Sequence, residues 1–159
     1  MLAAIVFYDV VLTVHILAVV VAFGVVFAYP LIDGYIRRTT PGNLPALHRL
    51  HVLLARRLVT PAMTVVLLAG LYLALDRFSL GDPWISATFA ILFVLFGLTG
   101  AVLTPTDERL AKLAERDLST GGGPSADYER ERRKADLVGS FALLLVVAAI
   151  FLMVAKPGA

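Results

Sequence analysis

The sequence predicts an all-α, polytopic membrane protein: a four-transmembrane-helix bundle in one domain over residues 1–159, with short amphipathic or charged helices on the cytoplasmic side. Three observations carry this. Of 159 residues, 59% are apolar and only 16% charged, whereas a soluble domain is nearer half apolar and a quarter charged. Four charge-free runs reach spanning length: Val10 to Ile32 (23 residues), Leu58 to Leu75 (18), Pro83 to Thr106 (24) and Leu137 to Ala155 (19). A spanning helix needs about 20 mostly apolar residues. None of the runs alternates with period two, so their backbone groups are satisfied within helices rather than in a closed barrel. Disordered, coiled-coil and collagen-like chains are excluded.

The helices are expected at about residues 4–30, 57–76, 84–104 and 137–155, with polar segments at 31–56 and 105–136. The first run lacks a positive n-region and is too long for an h-region, so it is not read as a cleaved signal peptide. Its helix is expected to end at Tyr29-Pro30, where proline removes a donor. A helical repeat from Leu44 through Leu47, Leu50 and Leu54 to Leu58 either lies on the inner surface or leads straight into the second span. There Arg49, Arg56 and Arg57 reach lipid phosphates. Pro61 kinks the second helix or sits in its first turn. The short turn from Phe78 to Pro83 makes the second and third spans antiparallel neighbours. Thr104-Pro105-Thr106-Asp107 reads as a new N-cap opening a charged helix to about Leu118. Gly121-Gly122-Gly123-Pro124 is a flexible break. Asp127 to Asp136 then leads into the fourth span. Glu108–Lys112 and Glu129–Arg133 are i,i+4 pairs. Trp84 and Tyr29 suit the interfacial belt.

Charge sets the orientation. Of 14 basic residues, 12 lie in Leu31–Arg57 and Pro105–Asp136, leaving Arg77 and Lys156 on the other side. The positive-inside rule makes both segments cytoplasmic and both termini external. The net charge of +2 gives no case for nucleic acid. The absence of cysteine removes disulfides, thiolate metal sites, c-type haem attachment and cysteine nucleophiles. No Ser/His/Asp constellation, phosphate loop or intramembrane carboxylate pair is present, so the reading leans away from an enzyme.

His15 is the histidine that falls within a span, and intramembrane ionisable residues are functional candidates by default. At 100° per residue Tyr8, His15, Ala22 and Tyr29 share one helix face, flanked by Ala18. That face should point into the bundle. Its bland reading is a neutral imidazole making one interhelical hydrogen bond. Its functional reading is a ligand or proton-relay site. Tyr72, Ser86 and Thr88 lie at comparable depth and complete a candidate ligand-binding set with His15 and Tyr8. Asp9 points about 120° away and cannot pair with His15 on a straight helix. His48 and His51, at i,i+3, are a weak candidate metal pair. Met63 is a conceivable second haem ligand. Gly70-xxx-Ala74, Gly97-xxx-Ala101 and Gly100-xxx-Thr104 are close-contact spacings, and a homo-oligomer is expected.

The segments His15-Ile16-Leu17-Ala18-Val19-Val20 with Gly24, Val59-Thr60-Pro61, Gly70-Leu71-Tyr72-Leu73-Ala74, Pro83-Trp84 and the closing Phe151 to Pro157 resemble an uncharacterised family. Its members are four-helix bacterial integral membrane proteins. The resemblance implies a bacterial plasma (inner) membrane location and no particular activity. The first helix is more distantly similar to that of copper-resistance-D-like proteins and of the membrane-type protoporphyrinogen oxidase. His15 matches their first-helix histidine, which implies a porphyrin-type site with haem b as the candidate cofactor. Two other classes stay open. One is a small transporter or channel component built on the His15 set. The other is an accessory subunit docking a membrane-complex partner through Arg130–Lys134.

Overall fold

A computed structural model describes the backbone of residues 2–158 and the side chains of residues 7–158. The C-terminal residue Ala159, expected outside, falls beyond them. Among the described residues the chain is helical, with four apolar helical runs long enough to cross a membrane. Helix α1 covers Leu2–Thr39. A short 3₁₀ turn, Pro41–Asn43, leads to α2 (Leu44–Leu54), a π-helical turn (Ala55–Val59) and α3 (Thr60–Arg77). Past the hairpin come α4 (Pro83–Gly97), a second π-helical turn (Leu98–Leu103) and α5 (Thr104–Ser119). Helix α6 is Ala126–Ala155.

The two middle helical runs, Pro41–Arg77 and Pro83–Ser119, are each 37 residues long. At 1.5 Å per residue each is about 55 Å long, well beyond the roughly 30 Å of a hydrocarbon core. The excess lies at one end. There α2 and α5 pair, joined by the last turns of α1 and the first turns of α6. This is the charged end, and the Phe78–Asp82 turn marks the hairpin end. Helix α1 packs along α3, and α4 along α6.

Two expected boundaries differ, at Pro30 and Thr104, and one open alternative is decided, at Leu44. Helix α1 runs through Pro30 to Thr39. Proline inside a helix costs about 3 kcal/mol. Ile36 packs on the buried cluster of Leu44, Leu47, Leu110, Ala114 and Tyr128, and this tertiary contact holds the helix beyond Pro30. The repeat beginning at Leu44 leads straight into α3. Thr104 is not an N-cap, because Leu103 before it is already helical (φ −66°, ψ −51°). The π turns explain how both inner prolines are tolerated. Thr60 N–H bonds the Ala55 carbonyl and Thr104 N–H the Thr99 carbonyl, five residues back. The widened turn contains the i−4 carbonyls of Arg57 and Ala101, which the rings of Pro61 and Pro105 would otherwise strike. The Thr104 hydroxyl also donates to the Thr99 carbonyl (2.7 Å).

The expected stripe on α1 faces inward: His15, Ala18 and Ala22 are buried, while Val14, Leu17 and Val21 are exposed. Ala18 and Ala22 join Val59, Met63, Val66, Leu92, Leu95, Ala142 and Val146 in a dry layer across the middle of the bundle. Trp84 is not a belt residue; it is buried with Ala74 and Ile85 at the hairpin end. Tyr29 is half-buried and stacks on His51. The expected i,i+4 pairs give way to contacts between helices. Glu108 takes Arg56 (2.6 Å) and Glu129 takes Arg37 (2.7 Å), while Arg49 pairs with Glu115.

Candidate functional site

The first candidate is a cavity in the hairpin half of the bundle. It has a volume of about 380 Å³ and is bounded by all four spans. Its walls are mostly apolar, and its polar groups are few: Tyr8, His15, Thr88, the Trp84 indole and Lys156. His15 is 8% exposed, and its Nδ1 is buried without a hydrogen-bond partner. Gly70 is what admits the imidazole. A Cβ there would stand 3.0 Å from His15 Cε1 and 3.4 Å from Nδ1. Trp84 Nε1 is a second buried group without a partner. Unpaired buried polar atoms are rare and call for an explanation.

The Thr88 hydroxyl is satisfied by the Trp84 carbonyl (2.7 Å). Outside the cavity, the Arg77 guanidinium lies 3.7 Å over the ring of Tyr8, which lines it. The Lys156 ammonium lies 4.8 Å from the Phe78 ring centroid and 5.8 Å from that of Trp84. The cavity wall beside α1 and α6 includes the exposed residues Ile16, Val20, Ile150 and Val154, so the cavity opens toward the lipid-facing surface.

The structure brings Tyr8, His15 and Thr88 to this cavity and places Tyr72 and Ser86 elsewhere. Tyr72 is two residues, or about 200°, around the helix from Gly70, and its ring meets Phe7 edge-on. The Ser86 hydroxyl donates to the Leu80 carbonyl (2.7 Å). Met63 is packed in the dry layer, 1% exposed, whereas Met153 lines the cavity. Trp84 and Lys156 are the residues that sequence reasoning missed here. Trp84 folds inward, which nothing local showed, while Lys156 stays exposed at the end of α6 with its ammonium over the Phe78 and Trp84 rings.

The second candidate lies at the charged end, where His48 and His51 meet Asp107. Helix α2 carries both histidines on its buried face; Asp107 comes from the first turn of α5. His48 Nδ1 is 2.9 Å and His51 Nδ1 3.6 Å from the same oxygen, Asp107 Oδ1. On their far sides, His48 Nε2 is 2.9 Å from the Tyr128 hydroxyl, and His51 Nε2 is 3.3 Å from Asp33 Oδ1. Burial disfavours the Asp107 carboxylate, yet hydrogen bonds from the imidazoles of His48 and His51 prevail and hold it below the usual carboxylate range. Burial pushes the Tyr128 phenol up to about 12. In a neutral His48 that satisfies both contacts, Nδ1–H donates to the Asp107 carboxylate and Nε2 accepts from the Tyr128 hydroxyl. Tyr29 Oη, Asp33 Oδ1 and His51 Nε2 are buried here without hydrogen-bond partners.

The Arg130–Lys134 stretch is largely engaged within its own helix. Arg130 pairs with Asp127, Arg132 with Glu129 and Asp136, and Lys134 with Glu131. The family model described as a predicted integral membrane protein (DUF2269) matches residues 9–157. No curated protein and no solved structure matches the chain.

Proposed function

From the premise that the chain belongs to the DUF2269 family of predicted integral membrane proteins, we propose that it binds an apolar small molecule of the porphyrin class in the His15 cavity, with haem b the candidate. The observation that carries this reading is that His15, whose Nδ1 is buried against Gly70 without a hydrogen-bond partner, lines an apolar cavity of about 380 Å³. Ligand pockets are typically apolar, roughly 300–1,000 Å³, with a few placed polar groups. An imidazole nitrogen is a metal ligand or hydrogen-bond partner. Lys156 at the mouth suits an anionic edge. The distant likeness of the first helix to the oxidase's supports a porphyrin, by analogy alone. Met153, not Met63, is the thioether that such a ligand meets.

The absorbance spectrum of detergent-purified protein tests this. A Soret band is expected, as purified or after adding haem, and it is lost in His15→Ala. Colourless protein that takes up no haem would leave His15 as a structural residue.

The same reading puts the charged end in the cytoplasm of a bacterial inner membrane. Because the chain has no cysteine, Gly122→Cys is a clean probe. It should resist a membrane-impermeant maleimide in intact cells and react after lysis; labelling in intact cells would reverse the orientation. Gly70 is taken up by His15 within the chain, whereas Gly97, Gly100 and Ala101 are exposed. A homo-oligomer would use that face. Gly97→Cys is expected to crosslink as a dimer in membranes, and a strictly monomeric result removes the idea. Transport would require passage across the dry layer, and liposome flux is its test. An accessory-subunit role would rest on Arg133, and loss of a co-purifying partner in Arg133→Glu would favour it.

A further inference from the structure

We infer that His48, His51 and Asp107 form a binding site for one divalent first-row transition ion at the charged end of the bundle, backed by Asp33 and Tyr128. The site is independent of the His15 cavity. His15 and Asp33 are 18 residues apart on α1, about 27 Å along the axis, and the dry layer lies between them. Failure of either reading leaves the other standing.

Convergence is the first argument. The ligand atoms of the three residues lie within 4.8 Å of one another. Both Nδ1 atoms face one carboxylate oxygen, at 2.9 and 3.6 Å. A tetrahedral ion with bonds of about 2.0–2.2 Å separates its donors by about 3.3–3.5 Å. The two separations from the carboxylate oxygen bracket that value, and the third, between the imidazoles, is at most 4.8 Å, so an ion is reached by side-chain adjustments of up to about 1 Å.

The outer partners are the second argument. A ligating histidine almost always presents its other ring nitrogen to a carboxylate or another acceptor. Here His51 Nε2 faces Asp33, and His48 Nε2 faces the Tyr128 hydroxyl. Occupancy moves the His48 proton from Nδ1 to Nε2, where it donates to the Tyr128 oxygen. The imidazole stays neutral, and no proton leaves the residue. Two carboxylates, Asp33 and Asp107, balance a divalent charge.

The third argument is incompleteness. Three buried polar atoms at one place make no hydrogen bond: Tyr29 Oη, and the pair Asp33 Oδ1 and His51 Nε2, which stand 3.3 Å apart without hydrogen-bond alignment. A bound ion orients the His51 ring by its Nδ1 and lets Nε2–H turn to Asp33. Three protein ligands leave the fourth tetrahedral position to water or a small exogenous ligand. That is the arrangement of a site that exchanges or activates something, not of a closed structural one.

Two imidazoles and one carboxylate suit Zn²⁺, Co²⁺ and their neighbours, and Co²⁺ is the spectroscopic probe. Titrating the metal-free, detergent-purified chain with Co²⁺ should give visible d–d bands saturating at one equivalent and bleached by Zn²⁺. His51→Ala should abolish the bands. Asp33→Asn, which keeps all three ligands and the side-chain volume, should retain one equivalent but weaken binding about 10–100-fold. That shift guards against a His51 variant that fails to fold. Wild-type protein without d–d bands at saturating Co²⁺ overturns the proposal and leaves the cluster as a hydrogen-bonded latch filled by water. Bands that persist unchanged in both variants overturn it too, because the ion is then elsewhere.

Discussion

Tyr128→Ala is expected to destabilise the protein by about 3–5 kcal/mol, with the damage confined to the charged end. Tyr128 is 1% exposed and among the largest fully buried side chains. It is also the anchor by which α6 holds α2 and α5, because its ring fills the cluster of Leu44, Leu47, Leu110 and Ala114. Its backbone completes the clip that follows the glycine linker. Asp117 Oδ2 accepts the Ser125 N–H (2.7 Å), and Ser125 Oγ caps α6 by accepting the Tyr128 N–H (3.3 Å). Removing the ring empties this corner, while the dry layer and the hairpin end keep their contacts. Tyr128→Phe separates packing from hydrogen bonding. It keeps the ring and strands His48 Nε2, at a cost of about 1–3 kcal/mol. The measurement is denaturant unfolding in detergent, with trypsin cleavage after Arg116 and Arg130 as a local readout. Cleavage should accelerate strongly in Tyr128→Ala and modestly in Tyr128→Phe. Equal effects would mean that the hydrogen bond to His48, not the ring, holds the corner.

The spans were legible because charge marks them. Asp9, Asp33, Arg57, Asp76, Asp82 and Asp136 bound apolar runs of spanning length, and lipid permits only helices there. Local rules misled where tertiary packing outweighed them. Pro30 looked like a helix end and Thr104 like a cap. Ile36 packing on the charged-end cluster carries α1 onward, and the π turns before Thr60 and Thr104 absorb the prolines without a break.

The sites were half legible for a related reason. Height along a helix can be counted from sequence, but azimuth against the neighbours cannot. Tyr72 and Ser86 share the depth of His15, yet Tyr72 points to Phe7 and the Ser86 hydroxyl to the Leu80 carbonyl. His48 and His51 stood out as a pair. Their third partner, Asp107, is 59 positions from His48 and reads locally as an ordinary first-turn acid. Asp33 sat in what looked like a loop. Gly70 was read as a contact for a second chain, whereas it admits an imidazole of its own chain.

Gly70→Leu is expected to cost about 3 kcal/mol or more, at the upper end of overpacking effects, and to empty the His15 cavity. The first carbon alone would stand 3.0 Å from His15 Cε1, and the remaining three extend into the space that the ring occupies. The imidazole must leave its niche, or α1 and α3 must part. Both outcomes undo the α1–α3 contact that forms one wall of the cavity. Gly70→Ala is the informative neighbour. Replacing a mid-helix glycine gains about 0.5–1 kcal/mol of helix propensity, while one tight contact asks the ring to yield by a few tenths of an ångström. These terms nearly cancel, so Gly70→Ala should lie within about 1 kcal/mol of the wild type. The decisive variant is the double one. If the cost of Gly70→Leu arises from the ring, His15→Ala/Gly70→Leu vacates that space and should recover at least half of it. Coupling of that size marks residues in direct contact. Unfolding of all four proteins in one detergent measures it. A double variant no more stable than Gly70→Leu alone would mean that the leucine strikes something other than His15, and the glycine would lose its role as the seat of the imidazole.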